Sequence, residues 1–389
     1  MRTRVRSSGF SRSAALSWSA TFAFLAACGA TGVRPARTSA LTRPGDAHVV
    51  AAWVVPYEDS LASLERNAPL LTVVSPAYFR LNVVGLSAAL EEWDPGVPFP
   101  RARIDRLVEK GSLARASVLP LVGCIGPCGP KISRLLDDKE GREAHVRSLV
   151  HAAKAQNLSG LFIDYEDVDA KESSVTSFVT ELAAALHTEG KKLGLVVQEP
   201  CGAAPTCKRA PYPFALDTLV LHVDLLAVME YDYAVDGSSP PAPAAWVKRG
   251  LEHLARAIPS PEHRKKTLCA VPLYGRATAG LFEDTAFLHR DYVARRLGQT
   301  PFVIDEEHED AEALSKVATV SAGQKKGKLY IEDATSLAKR LSLTSEWGLG
   351  GVALWRLGGE DPQTAQVLDR YLHPPRGAAI QAKTLAGEE

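Results

Sequence analysis

The chain has 389 residues, 46% of them hydrophobic, with 25 prolines and 29 glycines, a composition that excludes a fibrous or disordered protein. Its 45 basic and 45 acidic residues cancel, so no net field recruits nucleic acid and no acidic excess marks a solvating tail. The length permits two or three domains, or one α/β barrel.

The N-terminus carries the first strong signal. Arg2, Arg4, Arg6 and Arg12 form a positive segment, followed by a mostly apolar stretch from Ala14 to Ala27. That stretch is too short to cross a bilayer and reads as the core of a signal peptide spanning residues 1–27. It closes on Leu25-Ala26-Ala27-Cys28, which resembles the bacterial lipobox. The resemblance implies cleavage before Cys28 and a diacylglycerol on its sulfur. Two acyl chains suffice for stable membrane anchoring where one is marginal. Gly29 follows, which implies sorting to the outer membrane if the cell is Gram-negative. A plain signal peptide with an incidental cysteine is the alternative. Residues 28–46 are small, polar and punctuated by proline, as a tether requires, and residues 374–389 read as a disordered tail.

Between them, residues 47–373 hold eight short apolar runs: 51–57, 70–78, 117–122, 160–166, 193–199, 225–231, 267–274 and 351–357. Continuous hydrophobicity suits strands buried on both faces. Helical spacing fills the gaps. Val146, Leu149, Val150 and Ala153 mark one helix face, and Val175, Phe178, Val179, Leu182 and Leu186 another, with Gly190 as a stop. Strands alternating with helices predict parallel βαβ units. Eight of them predict a closed (β/α)8 TIM barrel, with a small insertion at 276–328 between strands seven and eight.

Export would place the other cysteines in an oxidising compartment. Cys124 with Cys128, and Cys201 with Cys207, then read as local disulfides, and Cys269, inside an apolar run, as a buried free thiol. A zinc site competes, but no His or Cys pair completes one at a familiar spacing.

Barrel chemistry sits at the C-terminal ends of the strands. The fourth run ends Phe162-Ile163-Asp164-Tyr165-Glu166, so strand alternation sends Asp164 and Glu166 together into the mouth, above Phe162. Two close carboxyls cannot ionise independently, and one keeps a proton for general acid work. The sixth run ends Met229-Glu230-Tyr231-Asp232, the seventh brings Tyr274 and the eighth Trp355, aromatics suited to stacking on a sugar ring.

These segments resemble glycoside hydrolase family 18. Gly160 to Glu166 is similar to its active-site strand, Met229-Glu230-Tyr231-Asp232 to its sixth-strand motif, and Trp355 to its eighth-strand tryptophan. Tyr330 to Ala334, Gly350 to Gly358 and Pro272 to Gly275 resemble the spore-cortex-lytic branch, and the likeness spans 47–373. It implies that Glu166 protonates the glycosidic oxygen while the substrate's own 2-acetamido oxygen attacks the anomeric carbon. Asp164 would orient the acetamido N–H, Tyr231 would bond its oxygen, and Trp355 would floor the sugar subsite. Asp232, Met229, Tyr274 and Tyr78 would line the pocket. The implied substrate is a polymer containing N-acetylglucosamine, peptidoglycan or chitin-like, with no cofactor.

The motif is incomplete. Ser159 and Phe162 stand where the family pattern has aspartates, and Phe162 cannot share a proton with Asp164. An active glycosidase and an inactive glycan-binding barrel at the cell surface therefore both remain open. A metal-dependent hydrolase is disfavoured, because the ten histidines form no H-x-H or H-E-x-x-H.

Overall fold

The computed structural model describes residues 48–374 apart from 95, 115, 200–212, 282–283 and 295–302. The expected signal peptide, lipidated Cys28, tether and C-terminal tail, and the expected Cys201–Cys207 disulfide, lie outside the described residues. Each of the eight apolar runs supplies one barrel strand: β1 (Val49–Val54), β2 (Val73–Val84), β3 (Leu121–Cys124), β4 (Gly160–Tyr165), β5 (Lys192–Gln198), β6 (Leu225–Met229), β7 (Thr267–Pro272) and β8 (Gly351–Trp355). Each pairs in parallel with the next, and β8 returns to β1 through Val49↔Gly351, which closes the ring. β1, β4, β6 and β7 are buried along their whole length, which is why they carry no polar alternation.

The helices follow the spacing read from sequence. One spans Lys139–Ala155, capped by the Asp138 carboxylate, which accepts from Gly141 N at 2.8 Å. Another spans Glu172–Thr188, and Gly190 ends it at φ 64°.

Three details differ from the sequence expectation. The third run breaks in two, Ser117–Val118 and Leu121–Cys124, around Pro120, which has no N–H for the ladder. β2 outruns the barrel and folds back through Gly85 (φ 60°) into an antiparallel partner, Ser87–Glu92. β7 stops at Pro272, so Tyr274 is not a barrel residue. It opens a five-stranded antiparallel sheet ordered 286–288, 274–277, 325–331, 315–322, 303–310.

That inserted sheet has its own small core of Ala277, Phe287, Tyr292, Ala318, Val320, Leu329 and Ile331. At its exit Glu332 forms a buried ion pair with Arg340 of the following helix, 2.8 Å apart. Arg340 also donates to Ala242 O at 2.9 Å. Asp333 caps this helix (Ala334–Glu346) by accepting from Ser336 N at 2.9 Å. Cys124 and Cys128 are disulfide-bonded, and Cys269 is free and buried.

Candidate active site

The interior is built in layers. In β4, Tyr165 turns outward, where its hydroxyl meets His145 Nε2 at 2.7 Å, so Phe162, Asp164 and Glu166 turn inward. Phe162 is wholly buried. Its ring occupies the space beside Gly194 of β5, where a Cβ would lie 2.7 Å from it. Trp53 of β1 meets Phe162 edge-on at 5.8 Å and Trp355 at 5.7 Å.

Asp164 sits one layer up and is only 4% exposed. Burial in these apolar surroundings pushes its carboxyl up to about 7. Its Oδ1 has no hydrogen-bond partner among the described residues. Of the two carboxyls, Asp164 is thus the deeply buried one.

Glu166 is half-buried just beyond the end of β4. Its N–H donates to Cys124 O at 2.8 Å, which ties it to β3. Gln198, the last residue of β5, donates from Nε2 to Glu166 Oε2 at 3.3 Å. Met229 lies beside Gln198 in the β5–β6 register and is buried.

Tyr231 joins this group. Its hydroxyl is held far above its ordinary value, first by burial and then by the charges of Asp164, Tyr274, Asp232 and Glu166, so these groups surround it. The Tyr231 and Tyr274 rings meet edge-on at 6.2 Å. Tyr274 Oη donates to Asp232 Oδ1, and Arg276 Nη2 reaches the same oxygen at 2.5 Å. Asp232, Tyr274, Arg276, Trp355 and Arg356 line a cavity of about 290 Å³. A second cavity of about 530 Å³ flanks the other side over β2 and β3, where Trp93 lies on Gly123.

Asp164, Glu166, Tyr231, Asp232, Met229, Tyr274 and Trp355 therefore gather at one end of the barrel. Tyr78 does not join them. It is buried between Phe79 and Phe99, with the Arg101 guanidinium 4.6 Å above its ring, on the side of β2 that faces the helix Arg101–Glu109. Gln198, Arg276 and Trp53 were not anticipated. Gln198 had a legible signal: it shares a face with Gly194 and Val196 and is the buried polar residue that ends the apolar run 193–197.

Residues 66–360 match the family model described as glycosyl hydrolases family 18. No curated protein matches the chain. Among solved structures, a chitinase from Chromobacterium violaceum superposes with TM-score 0.70 at 23% identity, over 84% of this chain and 99% of that one. The spore cortex-lytic enzyme SleL of Bacillus megaterium gives 0.67 at 17%, over 84% and 74%. A Group IV chitinase of Ostrinia furnacalis, solved with allosamidin, gives 0.65 at 17%, over 83% and 97%. The match covers most of the barrel, including β4, β6 and β8, and the chain belongs to glycosyl hydrolases family 18.

Proposed function

We propose that the protein is a retaining glycosidase that cleaves a polymer containing N-acetylglucosamine, peptidoglycan or a chitin-like glycan, while Cys28 anchors it by lipid to the cell envelope. The observation that carries the reading is the buried Asp164 carboxyl with an unpartnered oxygen, two residues before Glu166 and beside Tyr231. Buried polar atoms are rarely left without a partner. An acetamido N–H would supply the missing donor, and Tyr231 the hydroxyl for the acetamido oxygen. Substrate self-attack then needs no enzyme nucleophile. Glu166, more exposed than Asp164, would protonate the leaving oxygen. Asp164, once ionised, stabilises the oxazolinium charge.

The test is Glu166→Gln. It keeps the shape of the side chain and removes the transferable proton. Release of products from peptidoglycan and chitin oligomers should fall about 10²–10⁴-fold, with glycan affinity little changed.

A second reading, an inactive glycan-binding barrel, is favoured by Phe162, whose fully buried ring puts a phenyl rather than a proton-sharing acid in the layer beneath Asp164. If wild type, Glu166→Gln and Phe162→Asp all bind a glycan equally and none releases product, that second reading replaces the first.

A further inference from the structure

We infer that Gln198 is a positioning residue that aims the Glu166 carboxyl, an inference that rests on Glu166 being the general acid. Gln198 is 3% exposed, and its amide is used at both ends. Oε1 accepts from the Asp167 N–H at 2.9 Å, and Nε2 donates to Glu166 Oε2 at 3.3 Å. The partners fix which end is which, since an N–H needs an acceptor and a carboxylate a donor. Asp167 adopts φ 54°, a left-handed conformation uncommon for a residue with a side chain. That turn directly after Glu166 points the Asp167 N–H back at β5, where Gln198 receives it.

The backbone of Glu166 is held from the opposite side. Its N–H bonds Cys124 O at 2.8 Å. Its carbonyl packs against Gly129, where a Cβ would lie only 2.4 Å away. β3 and the disulfide loop thus fix the main chain, while Gln198 fixes the side chain. The amide N–H on Oε2 holds the carboxyl in one plane, so its transferable proton is presented in one direction. When the glycosidic oxygen takes that proton, the O–H electron pair stays on the carboxylate and the Nε2–H stabilises the charge left behind.

The experiment uses the full chain with Gln198→Glu, which keeps the length and the acceptor for Asp167 but loses the donor when ionised. We expect kcat on glycan oligomers to fall roughly tenfold, with KM unchanged within about twofold. The alkaline limb of the pH–rate profile should move up by about one unit, because a second carboxylate facing Glu166 favours retention of its proton. If Gln198→Glu does not fold, Gln198→Met, similar in length and without a donor, should show the same kcat loss and the same direction of the limb. A role in stability alone would lower the melting temperature and leave the limb in place.

Substrate-free ¹³C-carboxyl titration, with the Glu166 resonance identified by its loss in Glu166→Gln, separates this inference from the glycosidase reading. A raised midpoint in the Gln198 variant, with no form of the protein cleaving any glycan, upholds the positioning contact and sinks the glycosidase reading. A folded variant with the wild-type pH profile and an unmoved midpoint overturns the inference.

Discussion

Asp164 holds its proton more tightly than a free carboxyl because folding strips its water, and among the described residues Oδ1 gains no partner in exchange. Its ordinary value is 3.8 and burial raises it to about 7, so between these pH values the native state binds more proton than the unfolded state. Stability attributable to this group is therefore intact below about pH 4 and is lost as pH rises to about 7. Asp164→Asn, which cannot ionise, should melt well above wild type at pH 8 and close to it at pH 4. An equal gap at both pH values would refute this account. Asp164 and Glu166 were legible in the sequence because alternation at the end of an apolar strand leaves little choice of face. Tyr78 was misplaced for the opposite reason. β2 carries an irregularity between Ala77 and Phe79, and such a bulge turns the side chain next to it onto the other face. Nothing in a single sequence announces that extra residue.

At the scale of elements, Phe162 in β4 and Gly194 in β5 are register partners that fit only as a pair. A methyl group at 194 would sit inside van der Waals contact of the phenyl ring. Gly194→Ala should cost about 1–3 kcal/mol by overpacking. Most of that cost should disappear in a Phe162→Leu background, a coupling that urea denaturation of the four proteins would measure. Additive costs would mean that the two side chains do not meet. The same pair explains how the barrel interior accommodates the large ring of Phe162. Strand existence was readable from hydrophobic runs, and strand ends were not. Pro120 splits one run because it lacks a donor, and the seventh ends at Pro272 because the chain there begins antiparallel pairing. Periodicity within a run cannot distinguish a barrel strand from the first strand of an insertion.

For the whole molecule, the order of elements followed from eight runs alternating with helical spacing, since right-handed crossovers leave few arrangements for a parallel sheet. Its place in the cell is a separate matter: the lipid anchor is a proposal that rests on Cys28 and the apolar segment before it. Cells fed a clickable fatty acid should label the protein, and Cys28→Ser should abolish the label; an unlabelled wild type would refute the anchor. The inserted sheet has a consequence of a different kind. Its entry strand, Tyr274–Ala277, and its exit strand, Lys325–Ile331, are hydrogen-bonded neighbours through Arg276↔Tyr330. The chain therefore leaves and re-enters the barrel at nearly one point, and the excursion has a core of its own. An insertion with adjacent ends can be gained, exchanged or trimmed to a hairpin without redrawing the barrel. One wall of the cleft, including Arg276 and the hydroxyl of Tyr274, is in this sense a replaceable part, while the carboxyls it faces belong to the frame.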